Sequence, residues 1–347
     1  PMLRLAGLRI NPLTNAQHRQ PYAVSLRFRS VADGSERAVQ LPQNVRIVSP
    51  QWSPDGKYLA FGNAGDKGVE LWIAETATGK ARRLGSEYVN TAFGEFSWSS
   101  PTELLVHLVP SKRGPMPSYR DLTPGEPNIQ ETSGKKGSVQ TFQDLLKSPN
   151  DEALFEYFAT SQLALIGVDG KSRTIGTPGI VDDVEVSPDG KYILAASIKR
   201  PFSYLFPYNR FPRTVAIWDM SGRELHKIAE SPLLDNLPIQ GVPTGPRSIS
   251  WIPTEPATLM WAEALDGGDP RNKAEKRDKL MKLAAPFHAP PTELLRTEWR
   301  YSGRQFGEKD GMMLFYDFDR DTRRRRIFIT DHRRPSEVRL LSDLNTA

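Results

Sequence analysis

The 347-residue chain contains no cysteine and only five histidines. Without cysteine there is no disulfide framework, no thiol nucleophile and no thiolate ligand for zinc. The histidines, His18, His107, His226, His288 and His332, show neither His-x-x-x-His nor His-Glu-x-x-His spacing, so no local zinc site is indicated. No apolar run approaches the ~20 residues that cross a bilayer, and no apolar signal core follows the N-terminus. There is no Gly-x-x-x-x-Gly-Lys phosphate loop, no Gly-x-Gly-x-x-Gly turn and no Gly-x-Ser-x-Gly nucleophile elbow. Charge of one sign is also scarce. The net charge is +5, and much of the excess sits in Arg323, Arg324, Arg325, Arg326, Arg333 and Arg334. A nucleic-acid binder spreads basic residues over a face and interleaves aromatics with them, which this chain does not do.

Proline, by contrast, is abundant: 29 residues, about 8% against a typical value of roughly 5%. Proline interrupts helices and central strands, so a proline-rich chain that keeps its apolar patterning points to many short strands. A repeat supports this. Trp52-Ser53-Pro54-Asp55-Gly56-Lys57-Tyr58 returns as Val186-Ser187-Pro188-Asp189-Gly190-Lys191-Tyr192, with weaker copies beginning at Trp98 and Trp251. In each copy an apolar strand ends, proline presets φ at the second turn position, Asp-Gly closes the turn, and an apolar strand returns. Further strand and hairpin patterns follow at 68–84, 214–228 and 325–341. Trp52 and Trp98 lie 46 residues apart, and Trp251 and Trp299 lie 48 apart. A period of about 40–50 residues with four strands per unit is that of a β-propeller blade. The expected fold is therefore an all-β propeller of four-stranded antiparallel blades. About five units are recognisable, and a possible sixth begins at Ala23–Phe28. A β-sandwich with coincidental turns is the alternative.

Three stretches depart from the repeat. Residues 110–138 read as an exposed loop rich in Pro, Gly, Ser and Lys. Residues 141–158 read as a helical insertion, with Thr141 as its N-cap and apolar residues at 142, 145, 146, 154, 155 and 158. Residues 266–279 read as a charged loop between two strands of one blade. Asp317, Asp319 and Asp321 alternate and share a strand face, but without the glycine and terminal glutamate of an EF-hand loop they read as a solvated hairpin end. The Arg323–Arg326 run reads either as hairpin-end charge or as an anion-recognition surface, its members alternating between faces.

Longer segments are more specific. Leu5-Ala6-Gly7-Leu8-Arg9-Ile10-Asn11-Pro12, Val139–Leu146, Phe155–Leu163, Lys199–Tyr204 with Arg210-Phe211-Pro212, Arg247–Trp251 and Asp266–Asp269 together resemble the glutamyl endopeptidase branch of the prolyl oligopeptidase serine peptidases. The resemblance runs through essentially the whole chain, in order. It implies the N-terminal propeller that covers a C-terminal α/β-hydrolase domain and admits peptides to its Ser-Asp-His triad. That hydrolase domain has no counterpart in residues 1–347, the propeller itself is expected to stop one or two blades early, and no catalytic residue carries over. The resemblance further implies peptide substrates, the hydrolase domain as partner, no cofactor and an extracytoplasmic bacterial setting. A propeller left open at its seam is expected to self-associate. For the acidic residue that such a peptidase prefers, a bidentate arginine is the suitable partner. Arg200 and Arg210 flank a long aromatic excursion and are expected to meet it, with Tyr204 or Tyr208 assisting. The alternative is a stand-alone, TolB-like propeller that binds proteins.

Overall fold

The structure, a computed structural model, describes residues 2–118, 141–308 and 310–346. Its repeating element is the Ser-Pro-Asp-Gly turn. Ser53 donates its hydroxyl proton to Asp55 Oδ1 (2.8 Å) and accepts from the Tyr58 amide (3.0 Å). Ser187 does the same with Asp189 (2.7 Å) and Tyr192 (3.0 Å). Gly56 and Gly190 close these turns at φ of 69° and 71°, values that cost a side-chain-bearing residue strain. Both serines are buried, so their hydroxyls are consumed by the turn.

Five four-stranded antiparallel blades follow. The first comprises Ile47–Trp52, Tyr58–Ala64, Val69–Glu75 and Ala81–Val89. The second comprises Phe96–Ser100, Glu103–Leu108, Ser161–Gly167 and Ser172–Gly179, and it meets the first at one rung, Val89 opposite Leu108. The third is Val181–Val186, Tyr192–Ile198, Arg213–Asp219 and Glu224–Ser231. The fourth is Arg247–Trp251, Thr258–Ala264, Asp278–Ala284 and Thr292–Thr297. The fifth is Arg300–Phe306, Met312–Asp319, Arg324–Asp331 and Arg334–Asn345. The propeller expectation and its five units are borne out.

Each blade is apolar on both faces because each is stacked between neighbours. Leu71, Ile73 and Leu84 of the first blade pack on Leu104, Val106 and Ala164 of the second. Leu163 and Leu165 meet Val181 and Ile193 of the third. Leu194 and Ile217 meet Trp251, Leu259 and Trp261 of the fourth. Met260, Ala262 and Leu280 meet Met313 and Phe315 of the fifth. The first strands also touch one another, which puts them nearest the propeller axis. Trp98 Nε1 donates to Gln51 O (3.1 Å), and Trp251 Nε1 donates to Glu185 O (3.2 Å). Trp52 occupies the equivalent place in the first blade; it is 54% exposed and leans on Phe28.

Several sequence expectations change in detail. The segment from Ala23 opens no sixth blade. It leads into a two-stranded hairpin, Arg27–Arg29 with Glu36–Ala38, whose Phe28 and following Val39 cover Leu59 and Phe61 of the first blade. An unforeseen three-stranded sheet, Leu3–Leu5, Leu8–Asn11 and Ala16–Gln17, precedes it. The helix, α1, spans Pro149–Ala159 and is capped by Ser148, which accepts from the Asp151 amide (3.2 Å). Residues 141–148 do not join it, because Asp144 sits at φ 59° to receive Arg9 and Arg4. Residues 111–118 of the expected loop are mostly exposed, and 119–138 lie outside the described residues. The loop before Asp278 is charged, as expected, but Asp266 within it is buried.

Two outcomes follow from this packing. The last strand, Arg334–Asn345, is a sheet edge that leaves Leu340 and Leu344 about half exposed. Such an edge favours association. Light scattering of the 347-residue chain should show dimers or larger species at rising concentration, and Leu340→Glu with Leu344→Glu should return it to a monomer. His107 is buried against Ser161 (Nδ1···Oγ 3.1 Å), and desolvation lowers its pKa from 6.5 to about 4. Between those values the unfolded chain takes up a proton that the folded chain refuses. Stability present at pH 7 is therefore lost as pH falls from 6.5 towards 4, by on the order of 3 kcal/mol. Urea titrations across this range should show the loss, and His107→Gln should flatten it.

Candidate functional site

Antiparallel connectivity sorts the loops onto two faces. The links between second and third strands, and the crossings from blade to blade, lie at one end of the strands. At this end the chain makes its long excursions: 109–118 and 141–160 with α1, 199–212, 232–246 and 265–277. The opposite end carries shorter connections, such as 53–57, 76–80, 187–191 and 220–223. One face is elaborated and the other is trimmed, so the search for a site begins on the elaborated face.

There α1, the N-terminal sheet and the 199–212 excursion share one apolar cluster. Phe155 of the helix meets Phe202 (5.0 Å between ring centroids) and Phe211 (5.6 Å) of the excursion. The N-terminal hairpin clamps the excursion from its other side: the Tyr208 amide donates to Ala6 O (2.8 Å). Gly7, at φ 89°, lies so close to Pro207 that an added Cβ would sit 2.9 Å from its Cβ. Arg200 pairs with Glu152 (2.6 Å) and Glu156 (2.9 Å) on successive turns of α1 and lies over Phe202. Tyr204 lies by the same Glu152; partial burial, then the bond to that carboxylate, push its hydroxyl pKa up. Tyr208 packs on Phe93 (4.8 Å), and burial raises its pKa. Arg210 donates to Leu234 O (3.2 Å) and faces Phe142. Of the four residues expected to contact substrate, Arg200 and Tyr204 thus converge on one helix carboxylate, while Tyr208 and Arg210 have other neighbours.

The fourth and fifth blades carry a charged network that sequence reading missed. Asp278 is fully buried and holds Arg247 (2.7 Å), Arg300 (2.7 Å) and the Tyr301 amide (2.7 Å). Asp266 holds Arg277 (2.8 Å), the other arm of Arg300 (2.5 Å) and the Gly268 amide (3.0 Å). Arg326 lies over Trp299 (3.7 Å) and pairs with Asp317 (2.5 Å) and Glu298 (2.8 Å). Arg324 pairs with Asp343, and Arg325 lies over Tyr316. Arg324, Arg325 and Arg326 of the run are therefore engaged by side chains of the fifth blade and of the link that leads into it. Asp317 serves Arg326 and Asp319 serves Thr322, so neither stands open for a cation. Among the described residues no group of three or more acidic or histidine side chains is placed to hold a metal.

On the trimmed face, Thr254 Oγ1 lies 3.2 Å from His332 Nε2, and His332 Nδ1 lies 3.1 Å from Glu255. This hydroxyl–imidazole–carboxylate order is structural. His332 is 1% exposed, and Glu255 is also held by Lys282 (2.8 Å), whose charge, after burial, lowers the histidine pKa.

An open depression with a mixed polar and apolar lining runs along the axial strands of the fourth and fifth blades. Its cavity of about 440 Å³ is lined by Ser248, Ser250, Tyr301, Arg304, Gln305 and Phe306 among others. Ser248 at φ 54° and Gly303 at φ 146° lie within bulges of their strands, where the regular pairing is broken. Nothing in the sequence marks Arg304, one of two arginines in its strand.

Comparison with known proteins places this architecture. No family model matches the chain. A probable chloroplastic glutamyl endopeptidase of Oryza sativa subsp. japonica is 35% identical over 364 aligned positions, covering 99% of this chain and 38% of that protein. One of Arabidopsis thaliana is 35% identical over 346 positions, covering 95% and 36%. The chain is homologous to part of the glutamyl endopeptidases. It spans little more than a third of the length of these relatives. Among solved structures, an oligogalacturonate lyase in complex with manganese superimposes with a TM-score of 0.51 at 11% identity, covering 94% of this chain and 73% of that one. At that identity the likeness is one of fold.

The buried network gives a measurable consequence. Asp278→Asn keeps the shape and an acceptor for Tyr301 but leaves Arg247 and Arg300 short of a counter-charge. Breaking a buried pair in this way costs about 3–5 kcal/mol, so the urea midpoint of the variant should fall well below that of the wild type. An unchanged midpoint would show that solvent already screens these arginines.

Proposed function

We propose that this chain is the propeller portion of a glutamate-preferring serine peptidase, with no catalytic group of its own, and that it admits and selects peptides for an α/β-hydrolase domain. The observation that carries this reading is the 35% identity to glutamyl endopeptidases over 99% of the chain, which spans only 38% of their length. Two features agree with it. The sequence has no Gly-x-Ser-x-Gly elbow, and both repeat serines are locked in turns. The long excursions gather on one face, as a propeller that docks on a second domain would require. On this reading the 199–212 excursion, with Arg200, Tyr204, Tyr208 and Arg210, guides the peptide's approach, and peptide substrates and the hydrolase domain are the partners.

The test uses an unstructured peptide with one internal Glu and a stable protein with the same segment inside a folded helix. The complete peptidase should cleave the peptide after Glu and spare the folded protein, and residues 1–347 alone should cleave neither. Hydrolysis by residues 1–347 alone, or equal cleavage of the two substrates by the complete enzyme, would overturn the reading. Arg200→Ala and Arg210→Ala in the complete enzyme should raise KM for the peptide.

A further inference from the structure

We propose that Arg304 and the groups around it form a site for the carboxylate side chain of a peptide held on the propeller axis. The inference rests on the peptidase reading above and names where its acidic residue is recognised.

The argument starts from how the arginines are balanced. Arg200, Arg247, Arg300 and Arg326 each lie within ion-pair distance of at least one carboxylate. Arg304 does not: among the described residues none comes within 4.0 Å of it. Its Nη1 donates to Ser248 O (3.0 Å) and the Tyr301 hydroxyl (3.0 Å), and its Nη2 donates to Ser250 Oγ (2.5 Å) and Met260 O (3.0 Å). Four neutral acceptors fix the guanidinium without cancelling its charge. The Nε is buried with no partner. A half-buried cation of this kind projects its field into the cavity beside it, where the effective dielectric is below that of water.

The lining then supplies hydrogen bonds. Tyr301 and Ser250 spend an oxygen lone pair on Arg304, so their own protons are left to donate. That of Ser250 has only a 3.4 Å contact with Trp251 O. Ser248 and Gln305 are exposed at the rim. Gln305 accepts through Oε1 from Tyr316 (3.3 Å), which leaves its amide protons for a ligand. Ile249, Pro253 and Phe306 line the same cavity and suit the methylenes of a Glu side chain. Glu185, on the axial strand of the third blade, feels the charge of Arg304 without touching it, and burial raises its pKa. A cation fixed by neutral dipoles, with hydroxyl donors and an apolar wall, is a preorganised carboxylate receptor.

The experiment is calorimetry on the 347-residue chain with three blocked tripeptides: Ala-Glu-Ala amide, Ala-Gln-Ala amide, and Ala-Gln-Ala with a free C-terminal carboxylate. The Glu peptide should bind, and the Gln amide should bind roughly tenfold or more weakly, the scale of one charge-assisted hydrogen bond. Arg304→Gln should remove that difference, and Arg27→Gln, on the exposed hairpin that precedes the first blade, should leave it intact. Because Arg304 also ties two blades together, Ser248→Asp provides a second variant. Aspartate tolerates the φ of 54°, and its carboxylate would occupy the site from within while sparing every bond of Arg304. Equal binding of the Glu and Gln amides, or a Glu preference that survives both Arg304→Gln and Ser248→Asp, overturns the proposal. Tighter binding of the free-terminus peptide than of the Glu amide overturns it as well, by assigning the site to chain ends. Glu-specific cleavage by the complete peptidase, undiminished in Ser248→Asp, would overturn this site and leave the peptidase reading standing.

Discussion

The constraint on which this molecule depends is that no blade can bury both of its apolar faces alone. A four-stranded sheet of Val, Ile, Leu and Ala offers two such faces, and standing alone it would leave both in water. Stacking removes the apolar side chains from solvent at roughly 1.5–3 kcal/mol for each large residue. The clusters between consecutive blades are therefore the framework to which everything else is attached. The terminal sheet, α1 and the aromatic excursion form a separate apolar cluster that bears on this framework from one face.

That division explains what the sequence discloses. The Ser-Pro-Asp-Gly turns of the first and third blades and the axial tryptophans of the second and fourth recur because the same reversal and the same cross-blade bond are each made twice. Such local demands repeat along the chain and can be read there. The start of α1 could not be placed from Thr141, because Asp144 is drawn into a left-handed conformation by Arg4 and Arg9, more than 130 residues away. The three-stranded N-terminal sheet has strands of two to four residues, too short to show a period. The buried network is hidden for the same reason. Asp266 meets Arg300 across 34 residues, and Arg304 meets Ser250 across 54. The four residues read as a substrate site lie in the long excursion that the sequence indicates; its place on the elaborated face and their individual partners are tertiary facts.

Charge is distributed by the same logic. Some arginines between sheets are matched by buried aspartates, as Arg247 and Arg300 are by Asp278, others reach a backbone carbonyl, as Arg82 does at Val168, and on the last two strands Arg324 is matched by Asp343. Stability accounts for Arg247, Arg277, Arg300 and Arg326. It accounts for the position of Arg304 but not for leaving its charge without a counter-ion beside a cavity on the axis. On the proposal made above a visiting carboxylate supplies that balance, which would place selection on the axial wall of the fourth and fifth blades.

The indole bonds between axial strands have a direction. Trp98 reaches back to the first blade, and Trp251 reaches back to the third; in each case the later blade gives the proton and the earlier one receives it. Val186 and Phe306 stand where the second and fourth blades carry their tryptophans, so these bonds join the blades in two pairs. Within each pair a ribosome making the chain in order presents the acceptor, on Gln51 or Glu185, before its donor emerges, so the later blade docks on one already formed.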